Sequence, residues 1–95
     1  MSITPENAEI IAITALQFLA SDGERLSAFL ATSGAGLDDL RARASDRAFL
    51  TGVLDHMLAD ESMLLVFCES SGIAPELPAK ARFALDHGDE LRTDM

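Results

Sequence analysis

His56 stands four residues before Asp60 and five before Glu61, in a stretch, "LDHMLADESMLL", whose apolar spacing is helical. An imidazole and a carboxylate one helical turn apart can share a metal ion. Two donors at a helix end do not complete a coordination shell, and nothing nearby supplies the rest. A histidine at the edge of an apolar stripe is therefore the expected role. Cys68 is the chain's one cysteine. A reactive thiolate needs positive surroundings, which "VFCESS" lacks, so Cys68 is expected as a small buried hydrophobe beside Phe67. His87 falls in a polar terminal stretch that cannot hold it in catalytic geometry. Arg41, Arg43 and Arg47 form the one local positive cluster. Two of them are placed to complement the negative end of a short helix, so a structural, solvated role is expected.

Ser62, in "DESML", follows Asp60 near a helix start. Small acidic helical carrier proteins place a serine there for a phosphopantetheine arm, with Asp before it and Leu after. Here Glu61 precedes Ser62 and Met63 follows. A first-turn serine behind an Asp cap explains the residue equally well. A carrier or accessory subunit of an enzyme complex, engaged near Ser62, is kept as the alternative reading. No nucleophile–base pair and no metal set can be assembled from the remaining residues. Catalytic, cofactor-binding and metal residues are accordingly expected to be none, with no cofactor and no small-molecule ligand evident. An independent enzyme ranks last.

The chain has 95 residues, seven basic against sixteen acidic, for a net charge of −9. That charge repels phosphate backbones and anionic membrane surfaces, so neither nucleic acid nor membrane is an expected partner. Apolar residues make up 48% of the chain, which suits a single globular domain. Tyr and Trp are absent, leaving few residues typical of sheets or stacking platforms. The longest strictly apolar run, "MLLVFC", is far short of the roughly 20 residues that cross a bilayer. The opening "MSITPENAE" is acidic and lacks a positive n-region, so a secretory signal is not expected. A cytoplasmic location follows as the default.

Apolar residues recur at helical spacing nearly throughout, and no stretch alternates like a strand. The fold class is therefore all-α, a compact bundle of five or six short helices. Thr4-Pro5 signals a start, with Thr as N-cap and Pro at the first helical position. Ser21 and Glu24 have capping-box spacing and open a second helix, which Gly34 closes. Asp38, Asp39, Arg41 and Arg43 balance the dipole of a short third helix. Ser45 is placed to cap a fourth and Asp60 a fifth, which Gly72 ends. A sixth starts near Pro75, with Pro78 unsettling its first turn, and ends near Leu85. Residues 1–85 read as one helical domain and 86–95 as an acidic, flexible tail.

Part of this pattern occurs twice. At an offset of 38, Leu16 aligns with Leu54, Asp22 with Asp60, Leu26 with Leu64, Phe29 with Phe67, Ser33 with Ser71 and Gly34 with Gly72. A one-residue gap then aligns Leu40 with Leu77. Helices of similar length can resemble one another by chance. The shared acidic cap and Ser-Gly stop favour an internal duplication of a three-helix unit.

The helix faces sharpen this. The first helix is apolar over an arc of roughly 200°, so it is central or partly buried by a partner. The fourth carries a wide stripe of Phe49, Leu50, Val53, Leu54, Met57 and Leu58. On the fifth, Met63, Leu64, Phe67 and Cys68 share the core face. Leu65 and Val66 point elsewhere, where the first copy has Ser27 and Ala28. Either the sixth helix or the chain terminus covers them, or they form an exposed apolar strip for contact with a partner.

"ALQFLASD", "FLATSG", "LRARASDRAFLTGVLDHMLADESMLLVF" and "SGIAPE" together resemble a family of small bacterial proteins, the domain of unknown function 3572. The resemblance covers roughly residues 3–85, and its motifs are caps, glycine stops and apolar stripes. It implies an all-α protein, brings no activity, cofactor or site residue, and leaves the Pro78 turn atypical. The reading is an acidic, cytoplasmic protein–protein interaction module. Its partner is expected to be a protein, with a homodimer as one form, and its contact surface to be Leu65, Val66 and Ile10.

Overall fold

The fold is seen in a computed structural model that describes residues 3–34, 36–44 and 46–86, with Leu37 and Arg41 described by their backbone only. Six helices follow in order: α1 (Pro5–Ala20), α2 (Gly23–Ser33), α3 (Leu37–Arg43), α4 (Arg47–Leu58), α5 (Glu61–Ser71) and α6 (Leu77–Asp86). The chain is an all-α bundle, as its periodicity requires.

Local chemistry sets most helix ends. The Thr4 hydroxyl accepts from the Asn7 N–H at 3.1 Å, and Pro5 opens α1 where its missing N–H costs nothing. Asp60 accepts from the Met63 N–H at 3.1 Å. Gly34 and Gly72 close α2 and α5 at φ 74° and 69°, left-handed conformations that favour glycine. The Gly72 N–H and, at 3.0 Å, the Ile73 N–H both reach the Cys68 carbonyl, which satisfies the end of the helix around the left-handed glycine.

Three expectations change. Ser21 does not open α2; its hydroxyl donates to the Phe18 carbonyl at 2.7 Å and finishes α1. Asp22 is the cap instead, its carboxylate accepting from the Glu24 and Arg25 N–H groups at 2.9 and 3.4 Å. A charged acceptor is the stronger partner for those free donors. Ser45 lies outside the described residues, and Asp46 caps α4 by accepting from the Ala48 N–H at 3.0 Å. The sixth helix begins at Leu77, two residues later than expected. That start places Pro78 in the first turn, where no intrahelical bond is lost, and its ring is buried. At its far end α6 includes Asp86, and residues 87–95, most of the expected tail, lie outside the described residues.

α1 and α4 pack against each other and α6 lies across both. The core between them is built from Ala8, Ala12, Ala15 and Leu19 of α1, Leu50, Val53, Leu54 and Met57 of α4, and Ala81, Ala84 and Leu85 of α6. Small α1 side chains let the axes approach closely, and the larger α4 side chains fill the space. α2 and α5 flank this layer, each inserting one buried phenylalanine, Phe29 and Phe67.

The duplication read from the sequence has a geometric counterpart. The bounds of α2 and α5 are offset by 38 residues at both ends, with Asp caps and left-handed glycine stops in register. Phe18 of α1 meets Phe67 of α5 edge-on, centroids 5.4 Å apart at 61°. The residues 38 positions from each are His56 and Phe29, and those rings meet edge-on at 5.3 Å and 70°. Each unit's second helix thus presses its phenylalanine against the other unit's first helix. Arg47 Nε donates to Glu9 Oε2 at 3.1 Å, and these positions are each other's equivalents. Reciprocal contacts, with self-equivalent positions paired, are the signature of a two-fold relation.

Candidate functional site

Ile10 is 61% exposed, Leu65 49% and Val66 47%. Neither α6 nor any other described element covers the α5 strip, because α6 is spent on α1 and α4. On α5 the buried side belongs to Phe67 and Cys68, with Met63 and Leu64 half-buried. Leu65 and Val66 leave the helix on the opposite side, on either flank of the exposed Ser62 and Glu69. Glu61 and Glu69, four residues before and after Leu65, are exposed as well.

Two further large apolar residues reach solvent, Ile13 on α1 and Phe83 on α6. Sequence reasoning missed both as surface residues. The signal for Ile13 was available in the same comparison of copies, since the equivalents of Ile10 and Ile13 are Ala48 and Thr51. At four places, then, one copy carries exposed aliphatic bulk where the other has Ala, Ser or Thr. Phe83 has no such indicator.

The groups that could have done chemistry are placed as follows. His56 is half-buried and its ring packs edge-on against Phe29. Asp60 caps α5 by accepting from the Met63 N–H. Among the described residues no group of three His, Cys, Asp or Glu side chains is arranged to hold a metal ion. Cys68 is buried, and burial, with the Glu76 carboxylate adding to it, pushes its thiol above the ordinary range. Ser62 is exposed in the first turn of α5 behind the Asp60 cap. His87 lies outside the described residues.

The arginine cluster is dispersed. Arg47 is held by Glu9 across the α1–α4 seam, while Arg43, the last residue of α3, is exposed and makes no ion pair among the described residues. Two other arginines do structural work. Arg25 lies 4.6 Å over the Phe18 ring, a cation–π contact. Arg82 joins α6 to α4 through Asp55 at 2.7 Å and holds Asp86 at 2.8 Å, bonds that raise its already high pKa.

The surface between α2 and α4 is hollow. One depression is lined by Phe29, Ser33, Ala48 and Gly52; a second shares Phe29, Ser33 and Gly52 and adds His56; a third shares His56 and adds Ala28. Through these shared residues they run together along the surface, small side chains such as Ala28, Ala48 and Gly52 alternating with Phe29, Phe49 and His56 and with the charged Glu24, Arg25, Arg43, Asp46, Asp55 and Asp60.

Against this geometry, a family described as "Protein of unknown function (DUF3572)" matches residues 5–88. The chain belongs to that family. The match spans all six helices, so the whole bundle lies within the family's domain. No curated protein and no solved structure matches the chain. Among the described residues no helix is long and apolar enough to cross a membrane.

Proposed function

We propose that this DUF3572 protein is a small interaction module of the cytoplasm that associates with itself, using the outer faces of α5 and α1, with Leu65, Val66 and Ile10 at the contact. One observation carries the reading. These three positions hold exposed aliphatic side chains, whereas Ser27, Ala28 and Ala48 occupy the equivalent places in the other copy. The fold therefore has no need of apolar bulk there, and a contact with another molecule supplies the need. The charge of −9 turns such a module away from nucleic acid and anionic membranes and leaves proteins as partners.

The strength of the contact can be bounded. Covering the exposed halves of three aliphatic side chains yields about 2–5 kcal/mol. Bringing two molecules together costs about 4–15 kcal/mol. With the strips of both copies covered the gain is about 4–10 kcal/mol, which no more than offsets that cost, so neighbouring surface contributes and the association is weak. Sedimentation velocity from about 1 to 300 μM reads it directly. A mass that rises with concentration, and a Leu65→Glu variant that stays monomeric with unchanged helicity, are expected. A monomer at every concentration, unaltered by Leu65→Glu, overturns the proposal.

A further inference from the structure

α2 leans on α1 more than on α4, so α2 and α4 stand apart and leave a hollow between them. Ala48, Gly52, His56 and Ala59 recur at helical spacing along its α4 side, and Ala28, Phe29 and Thr32 along its α2 side. The run from Ala48 to Ala59 is about 16 Å long, about three turns of helix. Gly52 lies midway along α4, where glycine weakens a helix. A Cβ at Gly52 would meet nothing within 4 Å, so no packing inside the chain calls for a glycine. The missing side chain leaves room for another backbone to come close.

Charge sets the sign of the occupant. Arg25 is held by Asp22 and Asp55 by Arg82, so these pairs balance themselves. The other charged groups lining the hollow are the exposed carboxylates of Glu24, Asp46 and Asp60 against the guanidinium of Arg43. Asp46 and Asp60 accept from helix N–H groups and keep their charge. Arg43 and Asp46 share one end, whereas Glu24 and Asp60 share the other, where the one guanidinium, Arg25, is already engaged by Asp22. The surrounding chain carries a net charge of −9, which draws basic segments towards it. We propose that this hollow takes an amphipathic helix of another protein, about three turns long, with its apolar side chains towards Gly52 and its basic side chains towards Glu24 and Asp60. This contact uses a different face from the self-association proposed above and does not depend on it.

Two fluorescein-labelled helical peptides of about fourteen residues provide the test, sharing one Leu and Ala face and carrying either Lys or Glu elsewhere. By fluorescence anisotropy the Lys peptide is expected to bind at micromolar concentration, about tenfold or more tighter than the Glu peptide, and to weaken as salt is added. Gly52→Leu fills the hollow and is expected to lower the affinity for the Lys peptide about tenfold while leaving helicity at or above that of the parent. Ala28→Leu, at an exposed position on the opposite wall, is the second filling variant and decides the matter if Gly52→Leu loses helicity. Glu24→Gln is expected to weaken binding about threefold. Leu65→Ala with Val66→Ala, on the α5 strip, is expected to leave it unchanged. The proposal is overturned if the two peptides bind alike, if the folded filling variants bind as the parent does, if the α5 double variant removes binding, or if the Lys peptide fails to bind up to about 1 mM. None of these outcomes alters the concentration dependence of the mass, so this proposal and self-association fail separately.

Discussion

The two-fold relation predicts how the two buried phenylalanines differ. Phe29 and Phe67 are equivalent and almost fully buried, at 2% and 0% exposure. Truncating either to Ala leaves a ring-sized cavity and costs about 3–5 kcal/mol. For 95 residues the total stability is about 5–14 kcal/mol, so each variant is severely weakened and the pair together unfolds the chain. The partners differ. Among the described residues Phe67 has one aromatic neighbour, Phe18, whereas Phe29 has two, Phe49 at 5.7 Å and His56 at 5.3 Å. An edge-on aromatic pair adds about 0.5–1.5 kcal/mol beyond the area it buries. Phe29→Ala should therefore exceed Phe67→Ala by about that amount. With neither Trp nor Tyr in the chain, urea denaturation followed by far-UV circular dichroism is the suitable assay. Double-mutant cycles on Phe29 with His56 and on Phe67 with Phe18 should give coupling energies equal within about 0.5 kcal/mol. If Phe67→Ala is the costlier variant, or the two coupling energies differ by more than about 1 kcal/mol, the equivalence of the two contacts is refuted.

Gly34→Ala and Gly72→Ala should each cost about 1 kcal/mol, since both glycines sit at positive φ with open space where a Cβ would go; the strain is conformational, and chemical denaturation of the two variants should give matching losses. Burial raises the Cys68 thiol pKa in the folded chain, so the unfolded chain releases that proton first as pH rises. Cys68 therefore contributes a loss of stability once pH passes the ordinary thiol range of about 8.5, and Cys68→Ala should flatten the decline measured between pH 7.5 and pH 9.5.

What the sequence made legible was local. Thr4-Pro5, Asp60, Gly34 and Gly72 act through bonds to their own neighbours, so composition and spacing alone placed them. The choice between Ser21 and Asp22 was missed because both are good caps one residue apart, and the decision rests on which side chain reaches two free N–H groups. The start of α6 was displaced because Pro75 and Pro78 both suit a first turn, and burial of Pro78 and Leu85 against α1 and α4 selects the later one. The link from Arg47 to Glu9 spans 38 residues and has no local signature, so Arg47 read as one of a cluster with Arg41 and Arg43. The comparison of copies singled out Leu65 and Val66 but left open whether α6 or the terminus covers them; that depends on where α6 packs, which is set by contacts distant in sequence.

That comparison also shows that a duplicated chain need not stay symmetric. α6 packs on both α1 and α4. α3 is seven residues long and absent from the extensive helix contacts among the described residues, so the two third helices are not used alike. At the axis, a dimer of identical units would bring position 9 against another copy of itself, like charge against like charge. One continuous chain can place Glu9 there against Arg47 instead, which turns a repulsion into an attraction. The freedom extends to the outer surfaces. Once two equivalent faces are encoded separately, one can be hollowed to Ala28, Ala48 and Gly52 while the other is built up with Val66 and Ile10.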